Sequence, residues 1–255
     1  MAAPAFVDAA STAVGNGSTY AVALPTYASG DLVFIHVIDV NQAFTTNATA
    51  AATGWTSRDS GSFGSTDNAH RAFLLSRVMD GSEGTSVTVT FGGSNATNNA
   101  PIGFAESYRH PSGAPVIDGA LVTGSRIGST ATTFTTLTVP TSTADEIVVA
   151  FIAIQSSNST IGFTPTAGTE RYEDRALVSG GRVAGESHDQ PAPTSGSYSV
   201  AGSFTATASY RAVALALSGP ASTTGIKTVL GLSKASVKTV EGVAIASVKT
   251  IEGLA

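Results

Sequence analysis

A chain of 255 residues with 42% apolar content and positive mean hydropathy can bury a sizeable core, which excludes a disordered protein. There is no cysteine, so disulfides and thiolate metal sites are excluded, and the charged share of 12% is about half the globular norm. The net charge of -5 hides an asymmetry, because the only lysines, Lys227, Lys234, Lys238 and Lys249, all lie near the C-terminal end of the sequence. An acidic body does not suit nucleic acid, which needs clustered Lys and Arg, and the basic end is too sparsely charged for a polybasic lipid anchor.

The opening MAAPAFVDAAST has neither a basic start nor an apolar run of signal-peptide length, and nowhere do 18 apolar residues follow one another. The expectation is a soluble protein made in a cytoplasm. From there the body reads as strands: TYAVALP, DLVFIHVIDV, RAFLLSRVM, TSVTVTF, PIGFAESY, TFTTLTVP, DEIVVAFIAI, SYSVAGSF and YRAVALALS, separated by Gly/Ser/Asn/Asp turns such as MDGSEG at 79–84. Residues 31–40 and 146–154 are almost continuously apolar, as central strands covered on both faces must be. Thr85–Phe91 alternates, and should bury Val87, Val89 and Phe91. No long amphipathic helix is present in the pattern.

The order of segments repeats, which constrains the fold more than any single strand. FVDAA (6–10) matches VIDGA (116–120), and VALPTYASGDLVFIHV (22–37) matches LTVPTSTADEIVVAFI (137–152). TGWTSRDS (53–60) meets AGTERYED (167–174), and AHRAFLL (69–75) meets GGRVAGE (180–186). TSVTVTFGGS (85–94) meets GSYSVAGSFT (196–205), and PIGFAESY (101–108) meets YRAVALALS (210–218). The expected fold is all-β: a jelly-roll-like β-sandwich built from two pseudo-repeats, 1–112 and 113–220, followed by a repeat segment, 221–255. The two copies can form two sandwiches side by side or one joint sandwich, and the strand character of GAPVIDGALVTGS favours the joint unit.

Catalysis needs convergent groups, and the familiar arrangements are missing: no G-x-S-x-G elbow, H-E-x-x-H, P-loop or G-x-G-x-x-G. His36, His70, His110 and His188 are scattered, with none at zinc-ligand spacing, and His36 inside an apolar strand reads as a core or interface residue. In GTERYEDR, Glu170, Glu173 and Asp174 offer a carboxylate cluster, but the interleaved Arg171 and Arg175 favour a charged strand edge. His188-Asp189 near Ser195 and Ser197 has triad residue types in what reads as a turn. No enzyme, metal site or cofactor is expected. Trp55, Tyr20 and Tyr27 are candidate glycan contacts, since sugars stack on aromatic faces, although the plainer role of Trp55 is packing. Asn16, Asn47, Asn95 and Asn158 head N-x-S/T triplets and read as turn residues.

The last 30 residues, IKTVLGLSKAS, VKTVEGVAIAS and VKTIEGLA, repeat every 11. Eleven is also the period of a right-handed coiled coil. Gly231, Gly242 and Gly253 at one phase would each cost about 1 kcal/mol in a helix interior, and the Val, Ile and Thr content favours strands. The repeat therefore predicts strand, tight turn at Leu-Gly or Glu-Gly, then strand. Such a segment cannot make its own core. It needs a partner for Ile226, Val229, Leu232, Val237, Val240, Val243, Ile245, Val248, Ile251 and Leu254, gained by β-addition to identical subunits or to a neighbour in a larger particle. Interspersed lysines would restrain uncontrolled stacking.

With its ALP-x-x-x-x-GDLVF opening, central GW, RVMDGSEGTSVTVTF and DEIVVAFIA, the body resembles a group of β-rich structural proteins of tailed bacteriophages and prophages. The closing KTVEGVAIASVKTIEGLA is similar to short repeats at the ends of phage minor virion proteins. The resemblance implies a non-enzymatic virion component, a capsid decoration or head fibre or a tail or neck fibre, oligomeric with a trimer favoured and attached to other virion proteins. It implies no catalytic residues. The alternative expectation is an adhesive module recognising host-surface glycans.

Overall fold

The computed structural model describes residues 2–13, 15, 17–39, 49–64, 70–92, 101–158, 160–178, 181–221, 228–229, 232–233, 239–240 and 243–244. Among them there is no helix, and the fold is all-β. Contacts divide the chain into a body, Met1–Gly219, and a tail, Pro220–Ala255.

The first half of the body contains β1 (Ala5–Thr12), β2 (Thr19–Ala23), β3 (Leu32–Asp39), β4 (Thr49–Ala51), β5 (Thr56–Phe63), β6 (His70–Val78), β7 (Ser86–Gly92) and β8 (Pro101–Arg109). Five form one antiparallel sheet in the order β1-β8-β3-β6-β5, and three form another, β2-β7-β4. The second half contains β9 (Val116–Thr133), β10 (Leu137–Thr141), β11 (Glu146–Ser156), β12 (Phe163–Pro165), β13 (Thr169–Val178), β14 (Gly181–Ala192), β15 (Gly196–Val200) and β16 (Gly202–Ser218). Here β9, β16, β11, β14 and β13 lie side by side, β10 pairs with β15, and β12 pairs with the start of β16. Each strand of the second large sheet thus stands eight places after its counterpart in the first.

Local detail follows the same correspondence. Both edge strands β5 and β13 carry an irregularity, between Ser57 and Asp59 and between Glu170 and Tyr172, with an arginine in the gap. Arg58 Nε donates to Ser76 Oγ at 2.7 Å, and Arg171 Nε donates to Asp189 Oδ2 at 2.7 Å. A bulge aims the extra side chain back across the neighbouring strand, which is what both guanidinium groups do.

Three apolar layers hold these sheets. The pleat sends Leu32, Phe34 and Ile38 of β3 to one side, where they meet Val149, Phe151 and Ala153 of β11 and Val213 and Leu215 of β16. Val33, Ile35 and Val37 point the other way, into an outer core with Val22, Val89 and Phe91. Val148, Ala150 and Ile152 of β11 face a second outer core with Val139, Phe163 and Phe204. The two large sheets are therefore the inner layers of a four-layer stack. This is why all eight residues of β3 and all eleven of β11 are buried, and why both read as nearly continuous apolar runs. Thr85–Phe91 behaves as its alternation requires, with Val89 and Phe91 buried and Val87 half-buried.

The halves are also tied at their rims. Arg211 of β16 binds Asp59 of β5 through two nitrogens, at 3.0 Å and 2.6 Å. On β13 the Arg171 guanidinium lies 4.7 Å from the Phe6 ring centroid on β1.

Candidate functional site

The tail contains β17 (Thr228–Val229) with β18 (Leu232–Ser233), and β19 (Thr239–Val240) with β20 (Val243–Ala244). Thr228 pairs with Ser233 and Val229 with Leu232; 11 residues on, Thr239 pairs with Ala244 and Val240 with Val243. Two residues separate the innermost partners in each case, Leu-Gly and then Glu-Gly, as the sequence repeat predicts. Of the proposed assembly residues, Val229, Leu232, Val240 and Val243 lie in these strands, while Ile226, Val237, Ile245, Val248, Ile251 and Leu254 lie outside the described residues. Each pair of strands is a separate two-stranded sheet.

The aromatic candidates separate. Tyr20 is corrected: its ring is 5% exposed in the outer core of the first half, and its hydroxyl donates to the carbonyls of Thr12 (2.8 Å) and Ala13 (2.9 Å). Burial pushes that hydroxyl up to about 12, and no face is left for a sugar. Its position in TYAVA, at an alternating buried site, is the signal that should have assigned it to the core. Trp55 is half-buried, packed on the same core beside a turn closed by its N–H to the Ala52 carbonyl at 3.1 Å.

Tyr27 lines an open groove of about 780 Å³ between the segment Leu24–Ser29 and the turn around Gly81–Thr85. Its hydroxyl donates to the Gly84 carbonyl at 2.7 Å. The turn itself is braced: Glu83 accepts from the N–H groups of Asp80 (2.8 Å) and Gly81 (3.1 Å), and Arg77 bridges Asp80 and Glu83. Thr26, Ser29, Ser82 and Thr85 add hydroxyls to the walls.

The other candidates are structural. His188 and Asp189 are neighbours on β14, so they point to opposite faces. Asp189 binds Arg171, while the His188 ring stacks on Phe163 in the outer core. No triad forms. Glu170, Glu173 and Asp174 lie on β13 at the end of its sheet's strand order, where Glu173 binds Arg175. Glu186 is fully buried, with Oε1 3.7 Å from His188 Nδ1, and burial followed by the charges of Glu170 and Glu173 pushes its carboxyl up to about 10. Among the described residues no group of three His, Asp or Glu is placed to hold a metal ion. His36 packs against Phe104 and Phe151 in the central layer, and burial lowers it to about 3, so it stays neutral. Asn158 accepts from the N–H of Thr160 at 2.9 Å, the local bond of a turn residue.

One polar cluster escaped the sequence reading. Glu106 and Tyr108 on β8 meet Ser187 and Asp189 on β14, and Arg171 on β13, all within the central layer. Tyr108 donates to Glu106 Oε2 at 3.0 Å, and the Ser187 hydroxyl donates to Oε1. Burial pushes Glu106 up to about 8, with Tyr108 and Arg171 opposing and Asp189 reinforcing the shift. The available signal was a glutamate at an inward position of Ile102, Phe104, Glu106, Tyr108.

No protein-family model matches the chain, and neither the curated proteins nor the solved structures contain a match. The class is therefore defined by fold and site alone: an all-β body of stacked sheets with a strand-repeat tail.

Proposed function

We propose that the protein is a non-enzymatic structural component of a bacteriophage particle, displayed as a double jelly roll and assembled through its tail. The jelly-roll reading rests on the pairings of strands 1 with 8, 2 with 7 and 3 with 6 in the first half, repeated eight places on in the second. The observation that carries the assembly reading is the pair of tail hairpins. Among the described residues each has strands of two residues in a two-stranded sheet, whereas an isolated hairpin is marginal in water without further strands or packing. Repetition at a fixed spacing supplies equivalent pairing units, which suits β-addition between copies. The low charge of the body and its lack of lysine suit a crowded particle surface less through any single contact than by leaving short hydroxyl side chains outside. Synthesis in the host cytoplasm followed by incorporation into the virion fits this role.

The test is the mass in solution of the full chain beside a chain ending at Gly219. A trimer that becomes a monomer on truncation is the expected result. A full chain that is already monomeric excludes self-assembly through the tail.

A second reading, recognition of a host-surface glycan, is favoured by the hydroxyl-lined groove at Tyr27. On this reading Tyr27→Ala abolishes binding to immobilised bacterial surface glycans and leaves the unfolding midpoint within a few degrees. Equal binding by the variant removes the groove from consideration.

A further inference from the structure

The central layer joins the two halves of the body with apolar contacts over most of its area and with one polar patch. Corresponding register positions make the asymmetry visible. Leu32 stands opposite Tyr108 on β8 and Val78 on β6, as Ile147 stands opposite Leu217 on β16 and Pro191 on β14. Counting back along each strand, Glu106 corresponds to Leu215 and Ser187 corresponds to Leu74. Where Leu74 of the first half and Leu215 of the second occupy one pair of positions, the related pair, Glu106 of the first half and Ser187 of the second, brings a carboxyl and a hydroxyl into contact.

That carboxyl is fully buried, as are Ser187 and Tyr108, and Asp189 is 1% exposed. The groups facing it are Tyr108 on its own strand, Asp189 on β14, Arg171 and Tyr172 on β13, and His36 on β3. The facing positions on β1 and β11, including Phe6, Ala9, Val149 and Phe151, carry nothing titratable. Arg171 is engaged by Asp189, which leaves Glu106 with two hydroxyl partners and no cation of its own. The two hydroxyl bonds favour the anion, but they replace only part of the hydration that a buried charge loses, so the closed layer holds the neutral form. As an anion it faces Asp189 within a buried, largely apolar layer, and water must reach it.

We propose that Glu106, Tyr108, Ser187, Asp189 and Arg171 form a proton-held clasp between the two halves, closed while Glu106 keeps its proton and loosened when Glu106 loses it. Loosening opens the central layer while the two outer cores, which contain none of these groups, stay packed. The device lies in the body and does not depend on the particle role or on the tail.

Amide exchange of the full-length protein at pH 6 and pH 9.5, corrected for the intrinsic pH dependence of exchange, tests it. Protection of β8 and β14 is expected to fall on the order of 100-fold or more, since each unit by which a folded-state carboxyl is raised is worth tenfold in the opening equilibrium. Protection of β2, β7, β10 and β15 is expected to change much less. In Glu106→Gln, which keeps the shape and cannot ionise, the fall at β8 disappears, while β14 keeps only the part due to Glu186. An undiminished fall in that variant, or a uniform fall over all strands of the wild type, overturns the proposal. If Glu106→Gln does not fold, Tyr108→Phe decides. It removes a hydroxyl that favours the carboxylate, so the loosening must move to higher pH, and an unmoved midpoint also overturns the clasp.

Discussion

Gly185→Val is expected to wedge the two halves apart and to destabilise the body by about 3 kcal/mol, the upper part of the overpacking range. Gly185 lies on β14 facing the central layer, and a Cβ there would stand 2.4 Å from Phe104 Cε1 and 3.1 Å from Ile38 Cδ1. The ring cannot swing away cheaply. Phe104 is 1% exposed, stacked on Tyr172 with centroids 4.2 Å apart and edge-on to His36 at 4.9 Å. Relief therefore requires the sheets to separate or a second side chain to shrink. Urea unfolding of Gly185→Val, Phe104→Leu and the double variant measures this directly. The double variant should be more stable than the sum of the single losses by at least about 1 kcal/mol, because the leucine vacates the space that the valine fills. Strict additivity would mean that the glycine is not where the ring and the opposite sheet meet.

The same glycine shows what the sequence makes legible and what it hides. Strand content, the doubly covered runs at β3 and β11, and the tail hairpins follow from alternation, apolar runs and Leu-Gly and Glu-Gly turns. Each depends only on a residue and its near neighbours. Register between distant segments is another matter. Matching AHRAFLL with GGRVAGE places Leu74 against Gly185, and the shared Arg71 and Arg182 make that match attractive. The cross-strand pairing places Leu74 with Ser187, two residues further on. A two-residue slip keeps every side chain on its face, so the apolar pattern cannot detect it. The irregularities at Arg58 and Arg171 mark the same register, with Asp59 opposite Leu74 and Tyr172 opposite Ser187, and a bulge has no periodic signature.

The candidate sites divide along the same line. Tyr20 was readable as core from TYAVA, but an aromatic residue beside Gly and Ser also looks like a binding residue until the layer above it is known. A sandwich pattern announces that strands have a buried side. It does not announce that the large sheets have two, and the second covered face is what places Glu106, Ser187 and Asp189 out of water. The four-layer arrangement thus converts ordinary polar residues of β8 and β14 into a coupled cluster, and no local motif marks them.

Folding stability should pass through a broad maximum between about pH 4.5 and 6.5 and fall on both sides, because buried histidines and buried carboxyls set opposite limits. His36, His70 and His188 are lowered by burial from 6.5 to about 3, 4 and 4. A depressed histidine stays neutral in the fold while the unfolded chain takes up its proton. Its contribution is fully present above 6.5 and is lost as pH falls toward the folded value. Glu106 and Glu186 are raised by burial from 4.5 to about 8 and 10, and Asp189 is raised from 3.8 by the same cause. A raised carboxyl keeps its proton in the fold while the unfolded chain gives it up, so its contribution is fully present below the unfolded value and is lost as pH rises. Between 4.5 and 6.5 the two sets oppose each other and the curve is flat. From 6.5 to 8 the two glutamates act together, about 1.4 kcal/mol per pH unit each at most, and above 8 mainly Glu186 remains. For a chain of this size that slope should lower the calorimetric midpoint by on the order of 10 °C between pH 6 and 8. Glu106→Gln should remove the part of the alkaline limb that ends near pH 8, Glu186→Gln the part that continues toward 10, and neither should alter the acid limb. A midpoint that climbs steadily from pH 5 to pH 9 would show that both carboxyls ionise in the fold at their ordinary values, with water reaching them through layers that look closed.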